Sequence, residues 1–380
     1  MHVLIPALHR PIKPTGVCRH AVNLAQCLAA TPAVARVTLI IGSWQRPYFN
    51  DAFQLDSAKI QLVEVDIKNS SLARNRWFLF GLPQLAKQLQ PDMIHMSFPF
   101  PFVRQWFNSP IVSTIHDLYP YECPENFGYP RVWFNQLFLH QCIRNSDGLT
   151  CVSNCTLDAL KDYFPQAKGR QKNTVVYNVV DFEGIHAKVP HQLLSQSSPM
   201  VPGDPFLMTV AQHRKNKNLD LLIRAYGTLR HRHQLQAKLL IVGSSGPETE
   251  SLTQLVSQLN LEQQVLFLSG LSDGELRWLY ENASLFVIPS TTEGFCLPLV
   301  EALTLACPAV CSDIPIFREV GSSQDSSQCH YFSLNGQDST PLADAMAAAL
   351  AADARQTQTP DNRFSKATIS NQLLDFYRLF

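Results

Sequence analysis

The chain has 380 residues, zero formal net charge, 16% charged residues and 46% hydrophobic residues, which excludes a disordered polyelectrolyte and argues against a general nucleic-acid binder, whose surface must be basic. Its length exceeds one ordinary core and predicts two domains of similar size. The 10 cysteines are scattered without C-x-x-C spacing, so they read as free thiols of a reducing compartment, and no metal site is expected.

The start, Met1-His2-Val3-Leu4-Ile5-Pro6, has neither a basic leader nor an apolar run of signal length, and no later segment reaches membrane-spanning length. A cytoplasmic protein is expected, soluble or peripheral on the inner face of the plasma membrane. Short apolar runs then predict strands at Val3 to Leu8, Val37 to Ile41, Ile60 to Val65, Met93 to Met96, Ile111 to Ile115, Gly148 to Val152 and Val175 to Tyr177. Amphipathic stretches between them predict helices over Gly16 to Ala30, Leu72 to Leu89 and Tyr129 to Arg144. This alternation is that of a parallel α/β sheet. It breaks in a proline- and serine-containing segment with Ser195, Ser197, Ser198 and Gly203, read as a linker over 186–205. It restarts with strands at Phe206 to Ala211, Leu239 to Val242, Val265 to Leu268, Leu285 to Ile288, Ala309 to Cys311 and His330 to Phe332. The expected architecture is α/β, with two doubly wound Rossmann-like domains over 1–185 and 206–363 that face each other across a cleft. The last helix, Phe364 to Phe380, has no strand to serve and could pack on either domain.

Candidate functional residues follow the predicted strands. Gly16 opens the first helix, where a glycine lets the backbone approach a phosphate or simply makes a turn; without G-x-G-x-x-G a nicotinamide dehydrogenase is disfavoured. His116-Asp117 follows a central strand and can meet a sugar hydroxyl or cap the next turn. Arg214, Lys215 and Lys217 crowd one strand-to-helix junction, suited to a diphosphate or to a solvated basic turn. Glu293-Gly294-Phe295-Cys296-Leu297-Pro298-Leu299-Val300-Glu301 follows the strand Leu285 to Ile288. Gly294 permits a sharp turn and Pro298 suits a first helical turn, so Glu293 on the loop and Glu301 on the helix lean into one crevice beside free helix-start N–H groups. That suggests a sugar-and-phosphate site, against the alternative of an ordinary acidic helix start. Aromatic residues gather beside Arg74, Arg76 and Arg104, as core by helical spacing or as an interfacial membrane patch.

In combination these segments resemble family 4 retaining glycosyltransferases of GT-B architecture over nearly the whole length, most strongly from Leu207 to Val320. Glu293 to Glu301 resembles the E-x7-E motif, Val210 to Leu219 the phosphate-binding segment, and Ser312-Asp313-Ile314-Pro315 with Arg318-Glu319 a downstream turn. The resemblance implies a nucleotide-sugar donor in the second domain and a saccharide or lipid-linked acceptor in the first. Arg214 and Lys217 would hold the diphosphate, Glu301 the ribose, Glu293 a donor-sugar hydroxyl and His116 the donor sugar or transition state. Gly16 would close over the phosphates, the backbone of Gly294, Phe295, Cys296 and Leu297 would line the donor site, and the loops near Ser244 and at Gly270 and Leu271 would border the base. The last helix would return to the first domain. Hexosyl transfer with retention, without metal or cofactor, is implied for polysaccharide or glycolipid assembly, with a UDP-sugar such as UDP-glucose favoured slightly over GDP-mannose. A silent nucleotide-sugar-binding module, an epimerase and a phosphorylase are the alternatives. The chain departs from the family at Thr15 and Cys296, where glycine is frequent, and at Asn216, where a second cation is frequent.

Overall fold

A computed structural model of the protein describes residues 1–11, 15–53, 55–124, 128–165, 172–194, 200–322, 328–352 and 361–380. Apolar runs without alternation suit strands covered on both faces, and they form parallel ladders. β1 (His2–Pro6), β2 (Arg36–Gly42), β3 (Ile60–Val65), β4 (Met93–Met96), β5 (Ile111–Ile115), β6 (Gly148–Cys151) and β7 (Lys172–Val175) make a 7-stranded sheet in the order β3-β2-β1-β4-β5-β6-β7. β8 (Phe206–Val210), β9 (Lys238–Val242), β10 (Val265–Leu268), β11 (Leu285–Ile288), β12 (Ala309–Ser312) and β13 (Cys329–Phe332) make a 6-stranded sheet in the order β10-β9-β8-β11-β12-β13. Strand order reverses between β1 and β4 and between β8 and β11, so the loops leaving those strands diverge and open a crevice at each carboxyl edge.

Chain contacts divide the protein into one unit of Met1–Asp181 with Asn362–Phe380 and another of Phe182–Asp361. In the first, the last helix, Lys366–Tyr377, packs on the helix Gly16–Ala29. Ile369, Leu373 and Phe376 are buried in the same cluster as Ala21, Leu24 and Leu28, each contributing about 2 kcal/mol by area burial. Ser370 donates to the Cys27 carbonyl at 2.9 Å, and Lys366 pairs with Asp181 at 2.7 Å. In the second unit, the chain from Phe182 into the first residues of the expected linker is bound to the helix Asp273–Asn282. Arg277 donates to the Phe182 and Ile185 carbonyls at 3.2 and 2.6 Å, Lys188 N–H donates to the Gly274 carbonyl at 2.9 Å, and His191 meets Glu275 at 2.7 Å. The contact boundary therefore falls at Asp181–Phe182; Ser195, Ser197 and Ser198 lie outside the described residues.

Two local readings change. The strand expected at Val175 to Tyr177 is Lys172–Val175, because its ladder with β6 runs from Gly148 opposite Lys172 to Cys151 opposite Val175. The helix expected over Leu72 to Leu89 is interrupted by a π turn at Trp77–Gly81, where the Trp77 indole fills the space that a Gly81 side chain would need.

A buried polar chain crosses the first unit. Tyr377 hydroxyl bonds His95 Nδ1, His95 Nε2 bonds Thr114 Oγ1 at 2.7 Å, and Thr114 Oγ1 meets Thr150 Oγ1 at 2.9 Å and His20 Nε2 at 3.2 Å. His20 Nδ1 meets Asn178 Oδ1 at 2.8 Å. Burial lowers the pKa of His95 to about 3 and that of His20 well below its ordinary value, so both are neutral in the fold. Unfolded histidine takes up a proton below about pH 6.5, so these groups stabilise the fold fully above that pH and lose their contribution as pH falls toward 3. The expected slope is on the order of 1 kcal/mol per histidine per pH unit. Urea unfolding at pH 7.5 and 5.5 should give a lower midpoint at 5.5, and His95→Gln should shrink that difference; an equal difference in both proteins contradicts the assignment.

Candidate functional site

The second crevice is built from the loops that leave β8 and β11. After β8 the chain makes a 3-10 turn at Lys215–Lys217, and Asn218, at φ 53°, starts the helix Leu219–His233. After β11 it runs through Ser290 and Glu293 to the helix Leu297–Thr304, with Pro298 in the first turn. Asn216 ties the two loops: its carbonyl accepts from Thr291 N–H at 2.9 Å, and its side-chain amide donates to the Thr292 carbonyl at 3.3 Å. Asn216 is only 5% exposed. The position where the resemblance led one to miss a cation is thus a buried clamp.

That clamp sets the central pair. Lys217 Nζ lies 2.5 Å from Glu293 Oε1, and Ser290 hydroxyl donates to the same oxygen at 2.8 Å. The Lys217 and Glu293 side chains are 19% and 7% exposed, a partly desolvated pair whose loss on one side costs more than a surface ion pair. Arg214, half-buried at the start of the 3-10 turn, makes no ion pair among the described residues. Glu301, on the helix, accepts from the buried Tyr280 hydroxyl at 2.9 Å. Burial, then the Glu301 charge, raises the Tyr280 pKa well above its usual value, so the phenol stays a donor. Ser290 and Tyr280 were not singled out from sequence, and Asn216 was noted only for the cation it lacks; the polar character of the three inside apolar surroundings was the available signal.

Cys296 caps the helix at φ 66°, ψ 70°, the left-handed region that favours glycine. It is 7% exposed, and burial followed by the Glu293 charge raises its pKa well above that of a free thiol. The family's frequent glycine is a backbone preference here. Cys296→Gly is expected to leave the melting temperature within about 2 °C of the parent, because relief of about 1–2 kcal/mol of left-handed strain offsets lost burial and added chain entropy. Cys296→Val should lower it clearly, since a branched β-carbon is disfavoured there; equal effects of the two would contradict this reading.

Gly270, at φ 71°, and Leu271 follow the edge strand β10, on the same carboxyl edge of the sheet as Glu293 but with β9 between β10 and β8. The downstream turn is held by Arg318, which donates to both Asp313 oxygens at 2.7 and 2.9 Å. Among the described residues, no group of three or more His, Cys, Asp or Glu side chains could hold a metal ion. No described helix is long and apolar enough to cross a membrane.

Gly16 and His116 belong to the first unit. Gly16 is the first residue of its helix, and a β-carbon there would meet nothing within 4 Å. His116 follows β5; its Nε2 bonds the Ser97 carbonyl at 2.8 Å, and its ring packs edge-on against His20 at 4.6 Å. A carbonyl only accepts, so Nε2 carries the proton and Nδ1 is left as an acceptor. Burial lowers its pKa. Asp117 caps the following turn, accepting from Tyr119 N–H at 3.1 Å.

The model of the family Glycosyltransferase Family 4 matches residues 14–183, and that of Glycosyl transferases group 1 matches residues 192–366. The chain is 27% identical over 215 residues to O-antigen chain mannosyltransferase B of Escherichia coli, a match covering 55% of this chain and 54% of the relative. It is 33% identical over 143 residues to an N-acetylgalactosaminyltransferase of Campylobacter jejuni that acts on N-acetylgalactosamine-N,N'-diacetylbacillosaminyl-diphospho-undecaprenol, covering 38% of this chain and 35% of that protein. The chain spans about half the length of the E. coli relative and less of the C. jejuni one. Sucrose-phosphate synthase from Thermosynechococcus elongatus superposes with TM-score 0.75 at 18% identity, covering 100% of this chain and 98% of that one. HepE of Anabaena, solved with UDP and glucose, superposes with TM-score 0.70 at 19% identity over 100% of both chains. These two likenesses establish the fold, two doubly wound domains of GT-B type.

Proposed function

The chain belongs to the family 4 glycosyltransferases of GT-B architecture, and from that premise we propose that it transfers a hexosyl group from a nucleotide sugar to a saccharide or lipid-linked acceptor in polysaccharide assembly. The observation that carries this reading is the Lys217–Glu293 pair, with Ser290 on the same carboxylate, at the switch point between β8 and β11. Lys217 and Arg214 meet the donor diphosphate, and Glu301 meets the ribose. A phosphate oxygen competing for Lys217 turns Glu293 toward a sugar hydroxyl, so donor binding and sugar orientation are one event.

The bond from the anomeric carbon to the diphosphate breaks as that carbon bonds the acceptor oxygen, and the acceptor proton passes to the departing diphosphate with retention of configuration. Negative charge grows on the diphosphate, where Lys217 and Arg214 stabilise it most in the transition state without a metal. In the first unit, His116 Nδ1 is left to accept a hydrogen bond from a sugar hydroxyl. The donor is a UDP-hexose or GDP-mannose; the mannosyltransferase name of the E. coli relative supports the second, and the name of the C. jejuni relative supports a diphosphate-lipid acceptor.

Incubation with UDP-, GDP- and ADP-sugars, following nucleotide release and thermal stabilisation, tests the reading. Release from one donor with selective stabilisation by its nucleotide is expected. Stabilisation without release, even with saccharide and lipid-linked acceptors present, would instead identify a silent binding module.

A further inference from the structure

The first unit has its own crevice where β1 and β4 diverge, and cations collect there that the proposed chemistry does not use. Arg10 and His9 follow β1, and Arg74 lies on the helix Ser71–Arg76 that follows β3. Arg10 Nη1 donates to Ser71 Oγ at 3.0 Å, and its carbonyl accepts from Asn69 at 2.9 Å. Arg74 is half-buried with its guanidinium 5.2 Å from the centre of the Phe100 ring. Its Nε is buried without a hydrogen-bond partner. Neither arginine meets a carboxylate among the described residues.

His9 is 6% exposed and rigidly held: its N–H donates to Gln45 Oε1 at 3.2 Å, and its carbonyl accepts from Trp44 Nε1 at 2.8 Å. Its Nε2 is buried without a partner. Burial lowers its pKa to about 3, with Arg74 and then His116 adding to the effect. Burial and then the Arg10 charge also lower the Arg74 pKa, to about 10. Phe98 lies between His9 and His116, 5.8 and 6.1 Å from their ring centres.

A cation packed on an aromatic ring is partly compensated. Here a second guanidinium stands nearby, and two buried nitrogens on neighbouring side chains lack acceptors or donors. A structural arginine in such a place would hold a carboxylate or carbonyl. An arginine fork matches a phosphate, and a neutral imidazole beside it supplies a further hydrogen bond. We propose that Arg74, Arg10 and His9 form an anion site of the first unit that takes a phosphate or diphosphate group, and that this group is the one joining the acceptor saccharide to its lipid. The site itself is independent of the proposed reaction; its assignment to the acceptor rests on that reading.

Inorganic pyrophosphate is titrated calorimetrically into the full-length protein saturated with UDP or, separately, with GDP, to occupy the diphosphate cradle of the second unit. One further binding event is expected, weakened at least tenfold by Arg74→Met and less by Arg74→Lys. The melting temperature of Arg74→Met should equal or exceed the parent's, because an unpaired charge has been removed. No event under either nucleotide, an event unchanged in Arg74→Met, or a melting temperature several degrees lower in that variant each overturns the site. Kinetics with a short-chain prenyl diphosphate saccharide and with the same free saccharide then identify the source. Arg74→Met should raise KM about tenfold for the first alone, whereas equal losses with both remove the acceptor assignment. If no donor turns over, the proposed reaction fails while the pyrophosphate titration still decides the site.

Discussion

Glu293→Ala is expected to lower kcat by about 10²-fold or more while changing nucleotide affinity less than about threefold, as for removal of a group that acts chiefly in the transition state. Glu293 shares one carboxylate oxygen between Lys217 and Ser290; the alanine variant leaves Lys217 free to bind phosphate but removes the acceptor for the sugar hydroxyl. Because Lys217 is 19% exposed, its charge can reach water, and the stability cost should stay near 1–2 kcal/mol, below that of a fully buried pair. Lys217→Ala has the opposite signature in binding: nucleotide affinity and kcat both fall, since the diphosphate loses its point charge in both ground and transition states. Steady-state kinetics with calorimetric nucleotide binding separate the two. If Glu293→Ala weakens nucleotide binding as much as Lys217→Ala while sparing kcat, the carboxylate serves only to place the lysine, and its role at the sugar is wrong.

Most strands were legible because they are short, predominantly apolar runs, such as Leu285–Ile288 and Val265–Leu268, and the turn at Gly294 with Pro298 marked the helix that carries Glu301. What stayed hidden depends on partners distant in sequence. The extent of β7 is set by its ladder with β6 rather than by the apolar Val175 to Tyr177 run. The helix Arg46–Ala52 carries Pro47 in its first turn and is only 7 residues long, too short for a periodic signal. Asn216 read as a lost cation because spacing reports charge, whereas its bonds to Thr291 and Thr292 cross to another strand's loop. The aromatic residues beside the arginines read as core or as a surface patch, and both occur: Phe78 and Phe100 are buried and stacked at 3.7 Å with Arg74 over Phe100, whereas Phe80 and Trp106 are exposed.

The second large effect falls on a residue with no chemistry of its own. Gly243→Ala is expected to destabilise the second unit by at least about 3 kcal/mol and to weaken nucleotide binding tenfold or more, the range of severe backbone overpacking. A β-carbon at Gly243 would sit far inside contact distance of the Ala211 carbonyl oxygen and carbon, and one at Gly246 would collide with the His213 carbonyl. Both obstacles are main chain and cannot rotate away. The loops after β8 and β9 are also hydrogen-bonded, Ala211 N–H to the Val242 carbonyl at 2.9 Å and His213 N–H to the Ser244 carbonyl at 3.3 Å, while Gly243 N–H donates to the Leu268 carbonyl of β10 at 2.8 Å. Relieving the clash moves the loop after β8, which carries Arg214 and Lys217, the residues proposed to meet the diphosphate. Ser244→Ala, an exposed change with the main-chain bond kept, should stay within about 0.5 kcal/mol. Urea unfolding and nucleotide titration of both variants decide the matter. A Gly243→Ala protein with the parent's midpoint and affinity would mean that these loops yield freely, and that the position of Lys217 is not set by their close approach.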